Sequence, residues 1–271
     1  MYEYKPCYSD QIWFWDIKSD SESYDGSNSH YNKECEIIYM VSGECEMLIE
    51  NQIFHLVSDS LLFMPANSIH QWKYQEGKIN HRIAINFMPE IFNKSERKIL
   101  FNIFSRPFFL LNGSQCDLDF YIRAIAECES MNISLQKVAL KSRLIALITQ
   151  IYFLCSEKSV KPIILDNKIR KVITFIENNL QKNLTLDFLS SKFLISKNHL
   201  NNLFKKAVGT TIKKFILVKR LGFVREQLLH GSKPSEAAYK AGFNDYTAFF
   251  RAYKAFYGSA PSNIILDRID V

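Results

Sequence analysis

The chain has 271 residues, 47% of them hydrophobic, and a net charge of +6. That length supports one or two domains with a sizeable core. No apolar run reaches the roughly 18 residues a membrane-crossing helix needs, and Met1-Tyr2-Glu3-Tyr4-Lys5 lacks the basic stretch and hydrophobic core of a signal peptide, so a cytoplasmic protein with no membrane partner is expected.

Two features of composition sharpen this. Cys7, Cys35, Cys45, Cys116, Cys128 and Cys155 form no CxxC pair. Free thiols in a reducing compartment are therefore expected over a disulfide frame or a zinc site. The charge is also divided: Lys168 to Val271 holds 18 Lys+Arg against 7 Asp+Glu, or +11, and the remainder carries −5. A basic domain joined to a mildly acidic one suggests that only the C-terminal part meets a polyanion. Solvated helix surface is the bland alternative.

Residues up to about Phe87 alternate apolar and polar in short runs, such as Glu36–Val41, Cys45–Glu50 and Ser60–Pro65, separated by turn residues at Ser42-Gly43, Glu50-Asn51 and Pro65-Ala66-Asn67. This is the pattern of a β-sandwich or barrel. Tyr24–Ser29 reads as a polar loop. The periodicity then turns helical over Leu118–Glu129 and Leu135–Glu157, where Leu140, Leu144, Leu147, Ile148, Ile151 and Leu154 make one stripe. Such helices could cover the barrel or form a dimer seam. Ser156–Pro162 reads as linker, and after Asn167 the pattern is helical nearly to the end.

Two segments of this last part carry the function. In the first, Thr185 caps a short helix with Leu186, Leu189 and Phe193 as its buried face. Ile195 packs in the turn and Ser196 caps a second helix. Leu200, Leu203 and Phe204 face inward there, Lys197, Asn198, Asn201, Asn202, Lys205 and Lys206 remain outside, and Gly209 suits the left-handed position that ends a helix. The second segment repeats the plan. Pro234 opens a short helix, Gly242-Phe243 makes the turn, and Asn244 or Asp245 caps the next helix. Phe249, Tyr253 and Phe256 look inward, Thr247, Phe250, Arg251 and Lys254 look outward, and Gly258 ends it. Ser196 to Asp245 and Gly209 to Gly258 are both separated by 49 residues, so a complete helix-turn-helix is repeated. Between them Ile212–Leu229 reads as one long helix whose Phe215, Ile216, Leu221, Leu228 and Leu229 can dock both motifs. A rigid spacer lets two recognition helices enter successive major grooves, ~34 Å apart.

These residues resemble the AraC/XylS family of transcription regulators over about Leu184 to Asn263: Ser196…Leu200…Leu203-Phe204-Lys205-Lys206…Gly209, then Phe215…Arg220-Leu221…Leu228-Leu229, then Ala238…Gly242-Phe243…Phe249…Arg251…Tyr253-Lys254…Gly258…Pro261-Ser262. Ser190 and Val224 stand where the family often has alanine, Asn202 where it often has arginine, and Phe250 where a small polar residue is common. The resemblance implies a one-component regulator, an activator with RNA polymerase as partner. It also implies a cupin-like barrel that senses a small effector in the front half, which His30-Tyr31-Asn32…Glu36–Tyr39…Gly43 and Met64–His70 look like. A front domain that only dimerises is the rival reading.

The expected architecture is α+β. Residues 1–157 form a cupin-like β-barrel with a helical dimerisation segment at about 117–157, residues 158–167 a linker, and residues 168–271 an all-α domain with two helix-turn-helix motifs. Double-stranded DNA is expected to meet Lys197, Asn198, Asn201, Asn202, Lys205, Lys206, Tyr246, Thr247, Phe250, Arg251 and Lys254. Asn198, Asn201, Asn202, Thr247 and Arg251 are the candidates for base edges. The effector is assigned to His30, Glu36, His70 and Trp72, in a homodimer. His30, Glu36 and His70 could also supply three metal ligands, but Asn32 stands where a metal-binding HxH has its second histidine, so no metal or cofactor is expected. Trp13, Trp15, Tyr39 and Trp72 line a pocket or, more commonly for aromatics in a β domain, form core. No Gly-x-Ser-x-Gly elbow, phosphate-cradling glycine loop or HExxH occurs, so no enzyme is expected.

Overall fold

The computed structural model describes residues 11–19, 30–73, 79–101, 108–110, 118–158, 163–164 and 166–266. The Tyr24–Ser29 loop, Cys7, Cys116 and positions 159–162 and 165 of the expected linker lie outside them. Two compact units divide the chain, Met1–Ile163 and Ile164–Val271.

Ten strands in the described residues make two five-stranded sheets. The first runs β1(Ile12–Ser19), β8(Asn80–Phe87), β3(Cys35–Ser42), β6(Leu61–Met64), β9(Phe108–Leu110). The second runs β10(Ile163–Ile164), β5(Gln52–Val57), β4(Glu44–Ile49), β7(Ile69–Lys73), β2(His30–Tyr31). From β1 to β8 every strand but β5 lies in the opposite sheet to the strand before it, so the expected cupin-like barrel is realised as a sandwich with one core between its layers. Ile38, Met40, Leu62, Met64 and Ala84 of the first sheet meet Met47, Ile49, Phe54, Leu56 and Trp72 of the second.

The other face of the first sheet is covered too. Cys35, Ile37, Tyr39, Phe63, Ile85 and Phe87 pack with Leu100 of α1(Lys94–Phe101) and the inner faces of α2(Leu118–Ala126) and α3(Ile133–Lys158). All six stripe residues of α3, from Leu140 to Leu154, enter this layer. The stripe therefore covers the sheet, and truncating one such leucine to alanine costs about 2–5 kcal/mol. Because β3 lies between two apolar layers, Cys35 to Met40 are all buried, which erases the in-out alternation a half-exposed strand would show.

The C-terminal unit is helical. Asp166 caps α4(Asn167–Glu177), Thr185 caps α5(Leu186–Phe193), and α6(Lys197–Val208) follows a tight turn. The spacer α7(Ile212–Leu229) is capped by Thr211. After it come α8(Pro234–Lys240), α9(Tyr246–Tyr257) and the short α10(Asn263–Leu266). The first half of α7 meets the first motif, with the Phe204 and Phe215 rings 5.3 Å apart. Its second half gives Leu221, Val224 and Leu228 to a core shared with Ala237, Ala238, Phe249, Tyr253 and Tyr257. Val224 is fully buried there, so a β-branched side chain fills the site.

Candidate nucleic-acid interface and buried polar cluster

Each motif places its second helix by the same device at the C-terminal end. Gly209 and Gly258 adopt φ of +82° and +77°, and each donates its N–H to the carbonyl four residues back, Lys205 and Lys254, at 2.8 Å. The starts differ. Asp245 Oδ1 accepts from the amides of Thr247 and Ala248 at 2.8 and 3.3 Å, while Ser196 sits at the N-cap of α6 without a side-chain bond.

On α6 the exposed positions are Lys197, Asn198, His199, Asn202, Lys205 and Lys206. Lys197 pairs with Asp187 of α5, an exposed ion pair of little energetic weight. Asn201, expected outside, instead turns toward α7. It is half-buried and its Oδ1 accepts from the Ile212 amide at 3.4 Å, because the first turn of α7 leaves an amide donor unbonded within reach. His199 was missed. It lies three residues before Asn202 and so on the same helical face, which is the signal that could have found it.

On α9 Thr247, Arg251 and Lys254 are exposed, and Tyr246 opens the helix partly exposed. Phe250, expected outward, is half-buried against the second motif's core, with its ring 6.4 Å from that of Tyr246; an aromatic ring at the edge of an apolar core gains by leaning onto it. Asp245 spends its carboxylate on the cap, and among the described residues no ion pair holds Arg251, Lys254, Lys205 or Lys206. These cations are available to phosphates and base edges.

The front unit holds a different arrangement. Glu36 of β3 lies in register between Met64 and Asn86, on the face that meets the second sheet. Across that interface are His70 and Trp72 of β7, whose register partners Ile49 and Met47 are both core. His70 Nε2 is 3.8 Å from Glu36 Oε2, and its Nδ1 is 3.2 Å from the Ser68 carbonyl. Asn32 Nδ2 donates to Glu36 Oε2 at 2.8 Å, so the asparagine at the HxH position serves the carboxylate. Arg82 is 3% exposed and lies over the Trp72 ring, 4.5 Å from its centroid. Burial pushes the Glu36 carboxyl up to about 7, against the Arg82 charge and the hydrogen bonds from Asn32 and Asn86.

Glu36, His70 and Trp72 are thus brought together. His30 stands opposite His70 in the β2–β7 register, and its side chain lies outside the described residues. Arg82 was missed: Asn80, His81 and Arg82 are polar in succession, so its inward position on β8 could not be read from parity. Among the described residues no group of three His, Cys, Asp or Glu side chains is placed to hold a metal. Trp15 packs at the edge of the inter-sheet core and Tyr39 in the layer under the helices. His55 and His81 face Glu46 and Asp16 at 3.2 and 2.6 Å.

Comparison with known proteins covers both units. The AraC-like ligand binding domain family matches residues 18–152, and a helix-turn-helix domain family matches residues 189–265. A probable transcriptional regulator, LumQ, from Photobacterium leiognathi is 26% identical over 91% of this chain and 97% of its own. The XylDLEGF operon transcriptional activator of Pseudomonas putida is 33% identical over 35% of this chain, a match spanning 31% of that protein. A solved structure of ToxT from Vibrio cholerae covers 95% of this chain and 98% of its own at 13% identity, with a TM-score of 0.40.

Proposed function

The chain belongs to the AraC/XylS family of transcription regulators, with an N-terminal ligand-binding domain and a C-terminal helix-turn-helix DNA-binding domain, and from that membership we infer that it activates transcription by setting α6 and α9 into successive major grooves. The observation that carries the two-groove reading is the repeat itself: two recognition helices, identically ended, with Lys205, Lys206, Arg251 and Lys254 on their outer faces in no ion pair among the described residues, within a segment, Lys168 to Val271, of charge +11. Lys205, Lys206 and Lys254 take phosphates, and Asn198, Asn202, Thr247 and Arg251 reach base edges. RNA polymerase is the partner an activator requires, and the chain itself carries out no chemistry.

Selection of binding sites from randomised duplex DNA with the full chain tests this. Two separated segments are expected, with log affinity falling linearly as log salt rises. A single segment, or an affinity indifferent to salt, overturns the reading.

The effector is assigned to the inter-sheet face that carries Glu36, His70, Arg82 and Trp72, since a buried acid and a buried guanidinium on one face suit a small polar molecule with groups of both kinds. Glu36→Ala and His70→Ala should each abolish the response to effector while leaving affinity for the selected DNA unchanged. Glu36 also makes a pH prediction. Its folded pKa of about 7 lies above the ordinary 4.5, so its contribution to stability is complete below about pH 4.5 and is lost as pH rises through 7. The difference is worth about 3 kcal/mol. Glu36→Gln should flatten the melting midpoint between pH 5 and 8, and an unchanged slope removes Glu36 as the cause.

We assign the homodimer to the outer face of α3. Leu135, Val138, Tyr152 and Phe153 are exposed there, opposite the stripe that covers the sheet. Val138→Glu with Phe153→Glu should give a monomer by sedimentation, and a persistent dimer would move the seam elsewhere.

A further inference from the structure

The two motifs share a helix but no core. The second motif's cluster draws on α7, α8 and α9, with Ile264 at its edge, and on nothing from α5 or α6. Where the motifs approach one another there is open space: a cleft of about 620 Å³ bordered by Leu184 and Leu186 of the first motif, Ile216 and Leu217 of α7 and Phe243 of the second. Apolar packing therefore does not lock their relative angle at this point, since a void gives its lining no partner atoms.

A polar junction stands beside that cleft. Arg220, at the midpoint of α7, donates from Nε to the Leu180 carbonyl at 3.0 Å and from Nη2 to the Lys182 carbonyl at 2.7 Å. Both acceptors lie in the turn between α4 and α5, on the first motif's side. The same guanidinium sits 5.9 Å from the centre of the Phe243 ring in the second motif's turn. Next to Phe243, Gly242 has φ of +86°, and a Cβ there would meet the Leu180 carbonyl at 2.4 Å and Arg220 Nη2 at 2.8 Å. One planar fork thus touches the first motif's turn, the spacer and the second motif's turn. Burial works against its charge, and the two carbonyl bonds offset that cost.

We propose that Arg220 is a positioning residue that fixes the offset between α6 and α9, and so restricts the protein to one spacing between the two DNA segments it reads. The guanidinium touches no DNA. It holds the α4–α5 turn against Gly242 closely enough that rotation of one motif about α7 would break two hydrogen bonds and drive backbone into backbone. The proposal rests on the two-groove reading above and adds the determinant of spacing to it.

Selection from randomised duplex DNA with the full-length wild type and Arg220→Ala reads the spacing directly. The wild type should recover one separation between its two segments, and one inserted base pair should weaken binding at least tenfold. Arg220→Ala should recover neighbouring separations as well, with the insertion penalty reduced at least threefold and the base preferences within each segment unchanged. A merely structural arginine would lower affinity at every spacing alike. A variant that melts like the wild type yet keeps the full insertion penalty overturns the proposal. Should Arg220→Ala fail to fold, Arg220→Gln, which keeps an amide donor and loses the fork, decides between the same two outcomes. A wild type that recovers a single segment overturns instead the two-groove reading on which this depends.

Discussion

In the first motif Ser196 stands at the head of the recognition helix without a side-chain bond, Lys197 is drawn to Asp187, and Asn201 turns to the amide of Ile212. In the second motif Asp245 holds two amides of the first turn, and Arg251 and Lys254 stand exposed with no ion pair among the described residues. The turns differ as well. The first reaches left-handed backbone at Leu194, a leucine 92% exposed at φ +55°, and the second at Gly242, pressed against the Leu180 carbonyl. The shared parts, a glycine end and a buried aromatic-aliphatic face, define a scaffold. The divergent parts are the helix starts, the turns and the outward side chains proposed to meet DNA. A duplicated fold can thus keep its chassis while its two reading faces separate.

Four measurements test this contrast. The largest effect should come from alanine at the two left-handed glycines of the second motif. Gly242→Ala adds both backbone strain and a clash with the Leu180 carbonyl, and should cost ~3 kcal/mol or more of unfolding free energy. Gly258→Ala meets nothing within 4 Å and should cost only about 1 kcal/mol. Equal losses in denaturant titrations would mean that the junction is not tight.

Next is base reading. Arg251→Ala should lose on the order of 1–3 kcal/mol at one G·C pair and relax preference there. Asn202→Ala should act on an A·T-leaning pair under the first motif, since an asparagine amide matches adenine N6 and N7. Binding selections compare the two, and a uniform weakening across all sequences would reduce Arg251 to a phosphate contact. The caps come third: Asp245→Ala should lower stability by about 1 kcal/mol, and Ser196→Ala by no more than a few tenths. Similar losses from both would mean that Ser196 caps in solution. The smallest effect is a gain. Leu194→Gly relieves left-handed strain and should stabilise the chain by up to about 1 kcal/mol in a thermal melt; a loss would show that the exposed leucine makes a contact of its own.

Much of this contrast was legible in the residues. The 49-residue offset, the cap at Thr185, the glycine ends and the outward cations are all read within a turn or two of helix, where propensity and periodicity act. The misplaced residues share one cause. Asn201 and Phe250 sit at the border between the outer and inner faces of their helices, and there a half-turn of periodicity cannot decide whether a neighbouring element will capture the side chain. In the front unit the strands were legible from their alternation, and so were Glu36, His70 and Trp72 as members of one site, but the inward place of Arg82 was not, because Asn80, His81 and Arg82 are polar in succession and mark no parity.

The two-part charge division, the β-then-α order of the chain and the repeated motif follow from the identity of residues close together along the chain. That Arg82 lies over Trp72, and that Arg220 bonds carbonyls 38 and 40 residues away, emerged from the folded chain alone. Such contacts depend on the register between segments far apart in the chain, and that register is set by the packing of whole layers rather than by any local signal.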